Sequence, residues 1–334
     1  RRSNLQVVEL RQTVQNLTPG SPATFEARVR NLSDAESAPQ PLAFFIGAGE
    51  GAQKRAESIV PALEKNGEHL VTFTSVFEQA GSHPVSVALP ADDLTVDNAR
   101  YLSVMARDRI RVLLVNGQTG GTGKKSDDET FFLETALSLD GAASPFAVTR
   151  RGAFDFAEDV DLNRNEVVVL ANLPPFPDQV ALLEAYVRDG GILVVTAGEN
   201  VERDLPWYNA NLFKEGKGLL PCRVAGAEEF KEAELGSWGM RMNLNHPAAR
   251  EKGIQWQLLG ETKIQKILRL EALSDPAAIP AVDFIELLKD GLGFRTFPAI
   301  VDRPVGLGRV IFFASTADAD WGRFPVEPAF PVLW

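Results

Sequence analysis

The stretch GGILVVTAGENV, residues 190–201, decides the fold of the second half of the chain. Its apolar and β-branched run Ile192–Thr196 predicts a buried strand, and the small residues Ala197 and Gly198 predict a sharp turn directly after it. In several α/β hydrolytic folds such a turn carries the catalytic nucleophile. Here it carries glycine, glutamate and asparagine. This indicates either an active site with unusual chemistry or an enzyme fold that lacks catalytic residues.

The segments around this strand alternate between strand and helix patterns. Apolar runs at Ile110–Val115 and Val167–Ala171 predict further buried strands. Residues 127–139, DDETFFLETALSL, and 177–191, PDQVALLEAYVRDGG, have helical spacing. The acidic start of the first is favoured by the helix dipole, and the second has proline near its start and glycine past its end. This alternation predicts a parallel sheet with helices on both faces.

The end of the chain predicts a hairpin. Residues Pro298–Asp302 and Val310–Ala314 have strand character, and the turn between them runs through Pro304–Gly308. Residues 109–334 are therefore expected to form one α/β domain.

Residues 1–108 predict an all-β domain instead. Six or seven short segments have period-two character, as in Phe25, Ala27 and Val29, which would share one face of a sheet. Turn residues separate these segments every ~8–12 residues, which is typical of an immunoglobulin-type β-sandwich.

Composition excludes several classes of function. The 334 residues suggest about two domains, and 34 basic against 45 acidic residues give a net charge of −11. That charge argues against nucleic-acid binding and against docking on an anionic membrane surface. The single cysteine excludes an internal disulfide, and the histidines have no metal-ligand spacing. We expect no cofactor and no dedicated metal site.

The first half resembles the CARDB-like bacterial adhesion-related β-sandwich. The residues that carry this resemblance are Val29-Arg30-Asn31, Phe44-Phe45-Ile46, Gly81-x-His83-x-Val85 and Asp92-x-Leu94-x-x-Asp97-Asn98-x-Arg100-Tyr101. The second half is similar to class I glutamine amidotransferase-like domains, a flavodoxin-like α/β fold. Its markers are VLLVNG, VVVLANLP, LEAYVRDGGILVVTAG and VGLGRVIFFAST.

The two domains in this order resemble the extracytoplasmic part of bacterial membrane proteins with a BatA-type region and a von Willebrand A domain. The resemblance implies a periplasmic location, and contact with the membrane only through segments missing from this chain. The sequence starts in a strand-like run and stops on an apolar run, so we expect a piece of a longer protein. Protein partners are expected, without an indication of which.

The turn that follows the strand Ile192–Thr196, here called the elbow, lacks the nucleophile that the amidotransferase resemblance implies. The family needs a cysteine at the turn after the central strand, where this chain has Gly198, and no Cys, Ser or Thr lies in Ala197–Asp204. The favoured interpretation of Cys222, inside an apolar run, is a buried inert thiol. His246, followed by proline, is expected at a turn or a helix start.

The carboxyl ends of the predicted strands carry polar residues, and ligands of doubly wound sheets bind at such ends. The candidate crevice comprises Asn116, Asn172, Gly198, Glu199, Asn200, Asp318 and Asp320, with Ser315 beside them. It could bind a small polar ligand or a cation, and Glu199 with Asp318 could act as an acid/base pair. Alternatively these residues only cap strands and helices.

Three further motifs have weaker interpretations. The loop GQTGGTGKKS, 117–126, follows a strand but fits neither the Walker nor the dinucleotide pattern, so it is interpreted as a flexible loop that could still hold an anion. The acidic pairs Asp92-Asp93 and Asp97-Asn98 suggest an Asx turn rather than a Ca²⁺ loop. The aromatic residues Trp207, Tyr208, Trp238, Trp256, Trp321 and Phe324 are either core residues or a contact surface.

Together these observations predict a non-catalytic extracytoplasmic interaction or scaffolding module, with an amidotransferase-like domain that lacks its nucleophile. The alternatives are a hydrolase or carbohydrate-active enzyme that uses strand-end carboxylates, and a domain that senses a small ligand without turning it over.

Overall fold

The structure is a computed structural model that describes residues 3–13, 17–118, 128–139, 144–158, 161–230, 237–251, 254–273, 275–287 and 294–334. The chain divides into two compact units. The first consists of residues 1–109 with 140–145, and the second of residues 110–139 with 146–334. Within the described residues, none of the helices is both long and apolar enough to cross a bilayer.

The first unit is a sandwich of two antiparallel sheets. One sheet has the order β1-β2-β5 and the other β4-β3-β6-β7. The strands are β1 Leu5–Gln12, β2 Pro22–Asn31, β3 Gln40–Ile46, β4 Gln53–Val60, β5 Glu68–Val76, β6 Gly81–Ala88 and β7 Ala99–Ala106. Burial alternates along β2, where Phe25, Ala27 and Val29 are all inaccessible to solvent. This is the period-two face that the sequence predicts.

Aromatic rings join the two sheets of the sandwich. The Phe44 ring on β3 stacks on Phe73 of β5 at 5.3 Å and lies 5.2 Å from Phe25 of β2. All three side chains are buried, so the first unit has a hydrophobic core of its own.

Of the two acidic pairs of the first unit, the pair at Asp92 forms the predicted Asx turn, while Asp97 contacts a distant segment. Asp92 Oδ1 accepts the N–H of Leu94 in an Asx turn, while its Oδ2 accepts the N–H of Leu5. Asp97 Oδ2 accepts from the side chain of Asn4.

The second unit is built on an eight-stranded sheet of order β13-β15-β16-β17-β11-β10-β8-β9. Its strands are β8 Ile110–Asn116, β9 Phe146–Gly152, β10 Val167–Ala171, β11 Ile192–Thr196, β13 Gly239–Met242, β15 Ile279–Leu287, β16 Phe294–Val305 and β17 Gly308–Phe313. A separate pair consists of β12 Val224–Glu229 and β14 Lys266–Leu270. The helices are α1 Phe131–Leu137, α2 Ala153–Glu158, α3 Val180–Arg188, α4 Glu199–Arg203, α5 Leu205–Tyr208 and α6 Phe330–Leu333.

The parallel part of this sheet has flavodoxin-like strand order. Strands β9, β8, β10, β11 and β17 lie side by side and all run parallel. Numbered along the chain, this order is 2-1-3-4-5, in which the direction of winding reverses between β8 and β10. The sequence therefore predicts the α/β character of this half correctly, and β8, β10 and β11 have the expected positions.

Antiparallel strands extend the sheet on one side of β17. The predicted hairpin is present, since β16 pairs with β17 and the turn at Val305–Gly308 closes it. Strands β15 and β13 then add to β16, also antiparallel. Strand β17, the last parallel strand, consequently lies inside the sheet.

Candidate functional site at the strand ends

Asn172 lies at the centre of the carboxyl edge of the sheet, directly after β10. Its backbone has φ 48°, a left-handed conformation that asparagine tolerates better than most residues. Its Oδ1 accepts the N–H groups of Asn200 at 2.9 Å and Val201 at 3.3 Å, at the start of α4. Its Nδ2 donates to the carboxylate of Glu129. One amide side chain thus connects β10 to the start of α4 and to the segment before α1.

Asn200 connects the segments that follow β8 and β10, at the point where the winding of the sheet reverses. Its Nδ2 donates to the carbonyl oxygens of Gly117 and Asn172, both at 2.9 Å. Asn200 is 8% exposed and Asn172 5% exposed. These two predicted crevice residues therefore come together, and both act as buried structural links between backbone segments.

The elbow after β11 has no room for a side chain. A Cβ atom built on Gly198 would lie 2.1 Å from Cγ of Asn172 and 2.4 Å from its Oδ1. A Cβ on Gly117 would lie 1.9 Å from the carbonyl oxygen of Asn172. The position at which the amidotransferase resemblance implies a cysteine is thus filled by the side chain of a neighbouring asparagine.

Cys222 and His246 have the structural roles that the sequence predicts. Cys222 is 1% exposed, and burial raises the pKa of its thiol to about 12. His246 precedes the short 3₁₀ helix Pro247–Arg250, and its Nδ1 accepts the N–H of Ala248. Nε2 of His246 contacts Asp302, so the described contacts of the imidazole do not include the thiol.

Three carboxylates meet at the same edge of the sheet. Ligand oxygens of Glu129, Asp318 and Asp320 all lie within 4.8 Å of one another. Glu129 is 5% exposed and Asp318 is fully buried, while Asp320 is exposed. Asp318 follows β17, and its Oδ1 accepts the N–H of Asp320. Among the described residues, Glu129 Oε2 and Asp318 Oδ2 are buried without a hydrogen-bond partner when both groups are ionised, whereas a protonated Glu129 donates to Asp318.

This carboxylate cluster strongly favours a proton or a cation. Burial raises the pKa of Glu129 to about 9, and the charge of Asp318 adds to that shift. Within the part of the chain that the structure describes, neither Glu129 nor Asp318 has a salt bridge to lysine, arginine or histidine. Two buried carboxylates at this separation are costly unless one is protonated or a positive ion lies between them.

Glu129 is the residue that the sequence interpretation missed. In the sequence it is one of several acidic residues at the start of a predicted helix, where the helix dipole favours them. The signal was its place in the chain, because every loop that follows a parallel strand lies at the carboxyl edge of the sheet. Glu129 follows β8, the strand at the switch point, as Asp318 follows β17.

Other predicted crevice residues do not join this cluster. Glu199 is exposed, and the group of three carboxylates does not include it, so the partner of Asp318 is Glu129 rather than Glu199. Asn116 is half-buried and its Oδ1 accepts the N–H of Gln118, which is a local turn. Ser315 donates to the carbonyl oxygen of Lys266.

The remaining sequence candidates are resolved in part. Residues 119–126 of the glycine-rich loop lie outside the described residues. The aromatic residues are mostly core, since Tyr208, Trp238, Trp321 and Phe324 are at most 3% exposed. Trp207 and Trp256 are half-buried.

No protein-family model matches the chain, and no curated protein matches it. Among solved structures, the cytoplasmic protein STM1381 of Salmonella typhimurium LT2 is 13% identical, covering 67% of this chain and 96% of that one with a TM-score of 0.49. A ThuA-like protein of Bacteroides uniformis is 13% identical, covering 68% of this chain and 88% of that one with a TM-score of 0.45. The CARDB domain of the PF1109 protein of Pyrococcus furiosus, in complex with di-metal ions, is 16% identical and covers 32% of this chain and 90% of that one, with a TM-score of 0.28.

At these identities and TM-scores the comparisons carry no function over to this chain. The structure itself has a β-sandwich in the first part of the chain and an α/β sheet in the second. None of the three proteins named above is described as a BatA-type or von Willebrand protein, so that part of the resemblance stays a prediction.

Proposed function

We propose that the chain is an extracytoplasmic binding module of a membrane-anchored bacterial protein, in which a CARDB-like sandwich precedes an amidotransferase-like domain without amidotransferase chemistry. In this proposal the α/β domain binds a divalent cation at Glu129, Asp318 and Asp320. The observation that carries the proposal is the arrangement at the strand ends. There the Asn172 side chain fills the space beside Gly198, and the buried carboxylates of Glu129 and Asp318 lie close to the exposed carboxylate of Asp320.

The donor set favours a hard cation such as Ca²⁺ or Mg²⁺. All three groups offer carboxylate oxygens, which these ions prefer, and no sulfur or imidazole takes part. Three oxygens within 4.8 Å of one another have a common point no farther than about 2.8 Å from each (4.8/√3), so small side-chain movements bring them to the 2.3–2.6 Å of Ca²⁺ ligands. The unpartnered oxygens of Glu129 and Asp318 would then each coordinate the ion. This proposal departs from the expectation of no metal site.

Titration of the whole chain with Ca²⁺ and Mg²⁺ by isothermal calorimetry at pH 6, 7.5 and 9 tests the proposal. The ion competes with the proton on Glu129, so the affinity should rise with pH and binding should release up to one proton. The variants Glu129→Gln and Asp318→Asn should each weaken binding at least tenfold.

The control variant is Glu199→Gln, because Glu199 lies one residue after the elbow but is exposed and outside the cluster. It should bind the ion as the wild type does. Absence of saturable binding at pH 9, or an equal loss in Glu199→Gln, would refute the cation site. Protease accessibility in spheroplasts that produce the full-length protein tests the location separately, since a cytoplasmic protein stays protected.

One observation favours a second candidate, a hydrolase that uses the carboxylates. A pKa of about 9 keeps Glu129 protonated at neutral pH, as a general acid must be. The complete burial of Asp318 opposes this role, because substrate must reach the second carboxylate. Turnover of nitrophenyl glycosides that disappears in Glu129→Gln, but persists in Glu199→Gln, would favour the enzyme over the binding module.

A further inference from the structure

The two sheets of the sandwich differ in what they present to solvent. The outer side of the sheet β1-β2-β5 carries charged residues that pair across strands, as Arg28 of β2 does with Glu9 of β1 and Glu68 of β5. On the outer side of the sheet β4-β3-β6-β7, an ion pair between Lys54 and Glu57 lies on β4, a marginal strand. The other three strands of this sheet present a different surface.

The outward residues of β3, β6 and β7, here called the neutral face, include no Asp, Glu, Lys or Arg, and the structure describes all three strands in full. One row across this face consists of Phe45, Ser86 and Tyr101, which pair with one another on neighbouring strands. The chain as a whole is 24% charged, so three neighbouring strands without an outward charge stand out from the rest of the surface. Depletion of charged residues is a mark of the core of a protein interface.

The neutral face combines exposed apolar groups with polar groups that are already paired. On β7, Tyr101 is 80% exposed and Met105 is 53% exposed, and both residue types are enriched in interfaces. The hydroxyl groups of Ser82 and Ser103 hydrogen-bond to each other at 2.7 Å. Because these hydroxyls satisfy each other, water can be removed from them at little cost. The face is therefore suited to being covered by another protein surface.

The lack of charge favours a second copy of the chain as that surface. In a contact with twofold symmetry the same residues lie on both copies, so a net charge on the surface would meet the same charge. The net charge of −11 makes two copies repel each other elsewhere, and the neutral face avoids this repulsion. At its margin, Lys54 and Glu57 cancel each other's charge. A strongly charged partner, in contrast, would be recognised by charged groups that this face lacks.

We propose that the neutral face is the interface of a homodimer, in which two sandwiches pack sheet on sheet. Together with β4, it comprises four strands about 4.8 Å apart with seven or eight residues each, which cover about 500 Å² per copy. Two copies together then bury about 1,000 Å², at the lower end of specific interfaces. The dimer is accordingly weak and concentration-dependent, with the ring of Tyr101 as its main anchor.

Sedimentation velocity of the whole chain in EDTA tests the proposal between about 10 μM and 1 mM, the range expected for a contact of this area. The weight-average mass should rise with concentration from that of the monomer towards that of the dimer. EDTA removes any contribution of the proposed cation site, which belongs to the second unit. A monomer throughout this range overturns the proposal.

Paired variants locate the interface. Tyr101→Lys combined with Met105→Lys places two charges on the neutral face and should weaken dimerisation at least tenfold. Leu70→Lys combined with Val76→Lys is the matched control, because these residues are 47% and 44% exposed on β5, in the other sheet. Both pairs change the net charge equally, and the control should dimerise as the wild type does. Equal weakening, or full dimerisation of the Tyr101 and Met105 variant, contradicts this interface.

Cross-linking gives a second readout. Cys222 is the only cysteine of the chain and is 1% exposed, so an introduced surface cysteine is the one that reacts. Pro84→Cys lies on β6, beside the middle of the sheet, where a twofold contact brings the two copies together. A bismaleimide longer than the ~10 Å between packed sheets should join two Pro84→Cys chains but not two Thr74→Cys chains, since Thr74 is exposed on β5. Equal cross-linking of the two variants, or none of Pro84→Cys, overturns the assignment.

Discussion

At the scale of single residues, Glu129 has the most perturbed environment of the candidate site. Its carboxyl group is buried against Asp318, and burial raises the pKa to about 9 from the ordinary 4.5. Between about pH 4.5 and pH 9, the Glu129 carboxyl group keeps its proton in the folded chain but has released it in the unfolded chain. The stability contributed by this group is therefore fully present below about pH 4.5 and is lost as the pH rises to about 9.

Glu129→Gln should remove this pH dependence, because glutamine resembles the protonated acid in shape and keeps an oxygen for the side chain of Asn172. Measured in EDTA by urea unfolding, the wild type should lose up to about 1.4 kcal/mol per pH unit across part of this range relative to the variant. Glu199→Gln should keep the wild-type slope. Parallel curves for wild type and Glu129→Gln would contradict the assigned environment.

Sequence patterns identify single residues unevenly. Asn172 is identified from the sequence because it directly follows a strand with an unmistakable apolar run, and Asp318 because it lies in the loop after another such strand. Glu129 was missed because its partner, Asp318, is 189 positions later in the chain (318 − 129). Burial creates its chemistry, and burial depends on how the loops after β8 and β17 meet, which no local pattern encodes.

At the scale of elements, Asn172 holds the start of α4 in place. The helix has only five residues, so its own backbone hydrogen bonds contribute little, and the Asn172 side chain satisfies two of its first N–H groups. The close approach of Gly198 to the same side chain shows why the elbow excludes larger residues.

Asn172→Gly should keep the left-handed backbone but leave two buried N–H groups unsatisfied, at a cost of about 2–4 kcal/mol. Hydrogen exchange of residues 199–203 should accelerate along with the loss of stability. Asn66→Gly is the matched control, because Asn66 has φ 62° but is exposed, and its replacement should change stability by less than about 1 kcal/mol. Similar losses in both variants would mean that backbone conformation alone matters.

Element prediction from sequence works where one period dominates. Strands β8, β10 and β11 are continuous apolar runs because both of their faces are covered, and their predicted bounds agree with the structure to within one residue. Strands β13 and β15 were not predicted. Their residues neither alternate cleanly nor form continuous apolar runs. These two strands form because they pair with a neighbouring strand of the sheet, which their own sequence pattern does not indicate.

At the scale of the whole molecule, the two units have separate hydrophobic cores. All five tryptophans lie between positions 207 and 334, in the second unit, so their fluorescence reports on that unit alone. Circular dichroism, in contrast, reports on the strands of both units.

Phe44→Ala should therefore separate the two signals. Removal of this buried ring, which contacts Phe25 and Phe73, should destabilise the sandwich by about 3–5 kcal/mol. In urea, the circular dichroism transition should broaden or split, while the tryptophan transition keeps its midpoint. A tryptophan midpoint that shifts equally would mean that the two units unfold as one.

The antiparallel strands beside β17 determine what the sheet of the second unit presents at its margins. Because β16 covers β17, the outermost described strands are β13, with four residues, and β9, which carries the consecutive exposed arginines Arg150 and Arg151. A short strand and a charged strand both pair poorly with a foreign strand. Both margins of this sheet therefore disfavour pairing with the edge of a second copy of the chain.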